Sequence, residues 1–421
     1  MMAHMDQERA RALMQAHDLD ALLLCTPEDF YYGTGYSSGL SELYRQAPMA
    51  MALIPAKADI EPAILVPTRD AKAARRISGL ETVYGFPVWV ETIEAVGDTG
   101  EDAGDLSALL AQDPSDLPEQ YNCWEICRLL SDILRERYLA ESKIGAELGF
   151  IDVNTFAMMQ QANPGVEFFD STTLMYELRS IKGQAEIESL RKACLLTEEG
   201  IVSAAGSIAP GTSVASITEA FIRGVWTAAQ GRGLAGELGR INGQPTLGGP
   251  GGAAFGSEVS GRGTTVSFDV QVAVSRYHSD IGRTYVVHCP TPDQRRIYHA
   301  LVEAQARARD ALRPGTRICD VYEVALDSMR RAGFRRYSRG HFGHSVGLDP
   351  KIEEPPFISA SEKRLLSPGM VLSVEAPIYF SQLGPFQIED MCLITDGGCE
   401  VFSSLPRELL QLERELPLSS S

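Results

Sequence analysis

The sequence has no run of eighteen apolar residues, the length a helix needs to cross a bilayer, and residues 1–11 carry neither the basic nor the apolar region of a secretion signal. A membrane partner is therefore not expected, and the expected compartment is the cytoplasm. Basic charge is also short: 38 Lys and Arg against 56 Asp and Glu leave a formal charge of -18. Nucleic acid and anionic membranes reward a basic face, so neither is an expected partner. The eight cysteines (25, 123, 127, 194, 289, 319, 392, 399) are scattered, and only Cys123 and Cys127 lie close together. Four residues apart, with no further Cys or His nearby, they suit one helix face better than a zinc knuckle, and reduced thiols explain the set. Histidine is scarce too, with seven in the chain (4, 17, 278, 288, 299, 341, 344).

What is present describes a globular protein. At 421 residues, 44% apolar and 22% charged, the chain is too long for one ordinary core and suits two domains. The first, over 1–168, reads as α/β: a helix over 7–17, strands at 21–25, 49–54 and 63–66, a helix over 68–77, an acidic loop over 98–119, a helix over 123–136 and a strand near 147–151. It contains no phosphate-cradling glycine loop. The boundary is expected near 168–173, with a second domain over 174–415. That domain opens with an amphipathic helix over 184–204, whose apolar positions are Ile187, Leu190, Cys194 and Ile201.

The second domain repeats itself. Pro210-Gly-Thr-Ser-Val-Ala-Ser-Ile-Thr-Glu219 matches Pro314-Gly-Thr-Arg-Ile-Cys-Asp-Val-Tyr-Glu323 at an offset of 104, and Gly263-Thr-Thr-Val-Ser-Phe-Asp269 matches Gly369-Met-Val-Leu-Ser-Val-Glu375 at 106. A capping box at Thr291-Pro-Asp-Gln294 starts the helix before the second copy. Two helix-helix-strand halves about a pseudo-twofold axis are expected.

Each half carries a pair of acids. At strand period Val266, Phe268 and Val270 share one face, and Asp269 and Gln271 the other. After a bend near Ser275-Arg276, Asp280 can lie beside Asp269; Glu389 follows Glu375 in the same way. One such pair also fits a solvated hairpin. Two pairs brought together by a duplication put four carboxylates in one cavity, which calls for cationic compensation, and two divalent ions would supply it. His344, in Gly340-His-Phe-Gly-His-Ser-Val-Gly-Leu348, is the remaining ligand candidate. Nothing at the matching offset, around Gly239, is a histidine, so the two ions would be inequivalent. This donor set suits Mn, Fe, Co or Zn.

Asp269, Asp280, His344, Glu375 and Glu389, with the flanks Ser279-Asp-Ile-Gly-Arg-Thr284, Gly343-His-Ser-Val-Gly347 and Ile388-Glu-Asp390, resemble the superfamily of methionine aminopeptidase, prolidase, aminopeptidase P and creatinase. The resemblance implies a pita-bread catalytic domain behind a creatinase-like N-terminal domain, usually in a homodimer. It further implies that Asp280 and Glu389 bridge two metals, that Asp269 completes one ion and His344 with Glu375 the other, and that Glu375 takes the proton of the nucleophilic water.

The sequence departs from that pattern at two substrate-site histidines. Gly256 stands at the first, in the loop Gly249-Pro-Gly-Gly-Ala-Ala-Phe-Gly256, and Lys351 at the second. His341 and His278 are the histidines nearest in sequence to the ligands. Lys351 could hold a substrate carboxylate, and Glu353 and Glu354 a cationic group, which suits a small zwitterion; all three also fit solvated loop charges. Glu375, His341 and Lys351 are thus the candidate catalytic residues. The expected activity is hydrolysis of an amide-type C-N bond in a short Xaa-Pro-like peptide or a small zwitterion. The alternatives are a metal-dependent lyase such as that acting on dimethylsulfoniopropionate, against which Gln271 counts, and a silent binding scaffold, against which the complete ligand set counts.

Overall fold

The computed structural model describes residues 4–90, 117–249 and 256–412. Most of the acidic stretch 98–119, the loop residues 250–255 and the end of the second domain at 413–415 lie outside the described residues. The chain divides into two compact units, Met1–Leu178 and Arg179–Ser421. Around 168–173, where the boundary is expected, stand the strand Glu167–Asp170 and the start of the helix Thr172–Ser180.

The first unit is built on a six-stranded mixed sheet in the order Val83–Phe86, Ala63–Pro67, Met51–Pro55, Ala21–Leu24, Lys143–Ala146, Glu167–Asp170. Ala21–Leu24 is buried along its whole length, which explains why it reads as an unbroken apolar run rather than an alternating one. The helix Gln7–Ala16 starts where the Asp6 carboxylate accepts the Glu8 and Arg9 backbone N–H groups. The helix Cys123–Glu136, capped by Asn122, buries Ile126, Cys127, Leu130, Ile133 and Leu134 along one stripe.

The strand expected near 147–151 sits earlier, at Lys143–Ala146. Glu147 is the reason. Its buried carboxylate accepts the backbone N–H groups of Cys25 and Thr26 and the Thr26 hydroxyl, the last two at 2.8 and 2.9 Å. A buried carboxylate needs such donors, so the chain leaves the sheet there, and Ile151 joins the core from a turn.

The second unit shows the duplication as a sheet. Its strands run Tyr277–His278, Thr265–Val274, Ile281–Val287, Glu389–Thr395, Val371–Glu375, His341–Ser345, Glu354–Ser359, with Leu238–Asn242 and Thr246–Gly248 also paired to Thr265–Val274. The two central strands, Ile281–Val287 from the first half and Glu389–Thr395 from the second, pair antiparallel, and each is flanked by the strand bearing its own half's first acid. The helix pairs Gln184–Ala205 with Val214–Gly231, and Pro292–Ala311 with Ile318–Arg331, precede them in matching order. Leu301, Ala304, Val321 and Ala325 of the second pair form one core with Phe342, Leu372 and Val374. With Leu372 and Val374 facing the helices, alternation sends Ser373 and Glu375 to the opposite face.

Candidate metal centre

Strand register assembles the acids. Asp269 lies opposite Gly282, Gly282 opposite Glu389, and Glu389 opposite Glu375, so one cross-strand row spans the four central strands of both halves. Directly opposed residues project to the same face, and residues two along a strand join them there. Gln271, Gln387 and Ser373 therefore share that face, and so does Asp280, two residues before Gly282. Gly282 must be bare: a Cβ would stand 2.3 Å from Gln387 and 2.9 Å from the Glu389 Cβ.

Each half ties its own two acids with one amide. Gln271 Nε2 donates to Asp280 at 2.8 Å and Asp269 at 3.3 Å, and Gln387 Nε2 donates to Glu389 at 3.0 Å and Glu375 at 3.2 Å. Asn242 fixes the first amide by donating to Gln271 Oε1 at 2.6 Å. Ser373 Oγ donates to Glu389 at 2.8 Å.

His344 reaches the same face opposite Ser373. Its Nδ1 stands 3.0 Å from the Ser345 carbonyl, an arrangement that places the proton on Nδ1 and leaves the Nε2 lone pair facing Asp280 at 3.6 Å and Glu389 at 3.8 Å. Gly343 permits this approach: at φ 138° it lies so close to the next strand that a Cβ would meet the Ser373 carbonyl at 2.0 Å. In the first half the residue opposite Ser267, the counterpart of Ser373, is Thr246, so only one half supplies an imidazole.

Asp280, His344 and Glu389 form a buried group whose ligand atoms all lie within 4.8 Å of one another. Asp269 and Glu375 flank it. Asp269 keeps solvent access at the rim, although protein surrounds it on most sides. Glu375 is 5% exposed and engaged by Arg339, Nη2 to Oε1 at 2.5 Å, with His341 Nδ1 at 3.3 Å.

Burial, then the neighbouring acids, pushes the Asp280 and Glu389 carboxyls well above their ordinary range; burial and Glu375 push Asp269 to about 6. Such proton affinity is what a cation displaces. The donor set, three buried oxygen and nitrogen ligands with two more carboxylates beside them, fits a divalent ion. An acid whose pKa is higher in the fold than in the open chain adds stability at low pH and loses it as pH rises through the folded value. The ion-free protein should therefore melt lower at about pH 8 than at about pH 5, and added Mn2+ should remove most of the difference. Equal melting temperatures in chelator at both pH values would contradict this.

The remaining expected residues are placed as follows. His341 is partly buried, and burial lowers its pKa, so it is a neutral imidazole at neutral pH; its Nε2 lies 3.7 Å from Glu353. The Lys351 side chain is exposed, with its backbone N–H on Asp349. Glu353 is exposed, whereas Glu354 is buried, lies 3.5 Å from Arg179 and accepts the Asp349 N–H at 2.8 Å, so it serves the fold. Beside Gln387 and Ser373, the acids have two further neighbours that carry no sequence signal: Arg339, and Tyr379, a half-exposed phenol pushed up to about 12 by burial and then by Asp269. No helix of the described residues is long and apolar enough to cross a membrane.

Comparison with known proteins agrees with this construction. Residues 188–396 match metallopeptidase family M24, and residues 7–114 match the creatinase/prolidase N-terminal domain. The chain is 33% identical over 250 residues to a Xaa-Pro dipeptidase of Pyrococcus furiosus, covering 58% of this chain and 69% of that one. It is 28% identical over 298 residues to a putative dipeptidase of Bacillus subtilis, covering 69% and 78%. Among solved structures, a Xaa-Pro dipeptidase from Bacillus anthracis superposes with a TM-score of 0.75 at 21% identity over 96% of this chain and 99% of the other, a likeness of fold. A creatinase-type N-terminal domain followed by an acid-lined, duplicated sheet thus has a family: the chain belongs to metallopeptidase family M24.

Proposed function

We propose that the chain is a metal-dependent hydrolase that cleaves an amide-type C-N bond in a short Xaa-Pro-like peptide or a small zwitterionic compound. The observation that carries this reading is the single cross-strand row Asp269, Gly282, Glu389, Glu375, with Asp280 and His344 beside it on one face. Asp280 and Glu389 would serve both of two divalent ions, with Asp269 completing the ligands of one and His344 with Glu375 those of the other. Bound there, the ions would supply Lewis acidity toward the carbonyl and water that meet them. Glu375 would accept a proton from the attacking water, and neutral His341, 3.3 Å from it, would hold a substrate oxygen or amide. Lys351, exposed and unencumbered by a side-chain ion pair among the described residues, would receive a substrate carboxylate. A homodimer and manganese belong to the same proposal by family likeness.

Gly256 and Lys351 replace imidazoles, and loss of such support costs on the order of a hundredfold in rate. Manganese-loaded protein should therefore hydrolyse Xaa-Pro dipeptides slowly, and better where the substrate is a compact zwitterion. The check is a panel of Xaa-Pro dipeptides alongside betaine-like and sulfonium compounds. Elimination from a sulfonium compound with no C-N hydrolysis would favour the lyase reading, and binding without turnover the silent scaffold.

A further inference from the structure

Two buried cations, Arg179 and Lys182, stand at the start of the second unit, and neither belongs to the acid row. Each is only 4% exposed. A cation in such a place is costly unless fixed partners hold it, so its partners say what it does. Ile181 bridges antiparallel to Met370, and the Lys182 N–H donates to the Gly369 carbonyl at 2.9 Å, which lays this segment along the entrance of strand Val371–Glu375. That strand pairs with His341–Ser345. From there Lys182 Nζ donates to the Ser345 hydroxyl at 2.6 Å, and that hydroxyl lies 3.4 Å from the Val371 carbonyl. The Ser345 carbonyl is the group beside His344 Nδ1, at 3.0 Å. One residue thus joins the ammonium to the imidazole. Arg179 acts elsewhere: it lies 3.5 Å from Glu354, whose carboxylate accepts the Asp349 N–H at 2.8 Å.

We propose that Lys182 is a positioning residue for His344: by holding Ser345 it fixes the carbonyl that sets the tautomer and direction of the imidazole, with Nε2 turned to Asp280 and Glu389. The inference rests on the metal-dependent reading above. On one side of the strand the pairing with Glu354–Ser359 slips in register between His344 and Ser345, so the ladder there does not fix the Ser345 carbonyl. The ammonium supplies what the ladder lacks. Its bond to the hydroxyl is charge-assisted, and Ser345 is 1% exposed, so bulk water does not make good its loss. A group that orients a metal-binding histidine from behind changes metal affinity by roughly tenfold to a hundredfold when removed.

Calorimetric titration of the full-length, chelator-treated protein with Mn2+ tests this without any assay of turnover. Lys182→Met should weaken Mn2+ binding about tenfold or more, and Ser345→Ala should do the same. Because both act through one contact, the double variant should be no weaker than the worse single variant. Arg179→Met removes an equally buried cation from the same segment and should leave Mn2+ affinity within about threefold of the wild type, which separates positioning from general loosening. With Co2+ in place of Mn2+, the visible absorption bands, which report ligand geometry, should shift in Lys182→Met and not in Arg179→Met. Ser345→Ala leaves the ammonium in place, so it decides the matter even if Lys182→Met does not fold. Unchanged Mn2+ affinity in Lys182→Met or Ser345→Ala, additive losses in the double variant, or an equal loss in Arg179→Met would each overturn the inference while leaving the metal site standing. If the wild type binds no Mn2+, the metal-dependent reading itself falls, and this inference with it.

Discussion

Asp280→Asn is expected to remove the bound ions and to lower hydrolysis roughly a thousandfold or more, while leaving the fold intact. Asp280 is buried and at the centre of the assembly, 3.6 Å from His344 Nε2 and bridged by Gln271 to Asp269. An amide of the same shape keeps the packing but offers a neutral oxygen where a charge is needed. The same change removes a buried charge from among several mutually repelling acids; burial first, and then that repulsion, hold its carboxyl far above the ordinary range. In chelator, therefore, Asp280→Asn should melt no lower than the wild type. Loss of activity together with a collapsed melting temperature would show that Asp280 serves the fold, and undiminished activity would remove it from the site.

Arg283→Met is expected to cost about 3 to 5 kcal/mol of stability and to lower the melting temperature by roughly 6 to 20 °C. Arg283 is 1% exposed and pairs with fully buried Asp390 at 2.6 Å. Its Nη1 donates to the Gly282 and Glu389 carbonyls, both at 2.7 Å, and other nitrogens reach the carbonyls of Leu405 and Pro406. Methionine fills the volume and leaves those acceptors without donors in a place water does not reach. Because Arg407 and Gln305 still hold Asp390, the lower end of the range is the more fitting. Gly282 and Glu389 are the residues by which the two halves' central strands pair, so the same guanidinium also fixes the spacing of the acid row. A loss below about 1 kcal/mol in reversible denaturant unfolding would contradict this role.

The acids were legible in the sequence because alternation and duplication are both local signals. Period two assigns Asp269 away from Val266, Phe268 and Val270, and the repeated Gly-x-x-aliphatic-Ser-apolar-acid pattern assigns Glu375 by the same rule. The helix over 123–136 was equally plain, since its five buried positions recur at helical spacing and Asn122 caps it. The strand at Lys143–Ala146 was displaced in the reading because Phe150 and Ile151 look like strand residues. Only the three-dimensional fact that Glu147 answers two N–H groups more than a hundred residues away moves the strand back. Arg339 and the bridging roles of Gln271 and Gln387 were hidden for a related reason. A glutamine two residues from an acid announces nothing until register shows that its amide spans two strands, and an arginine 36 residues before Glu375 is one of many.

The central claim is that acids from both halves and one imidazole hold divalent ions on a shared face, and anomalous diffraction from crystals grown with Mn2+ tests it most directly. A strong peak is expected within bonding distance of Asp280, His344 Nε2 and Glu389, with any second peak toward Asp269. Fully occupied Mn2+ elsewhere on the chain, with those three side chains hydrogen-bonded to one another around no ion, would contradict it.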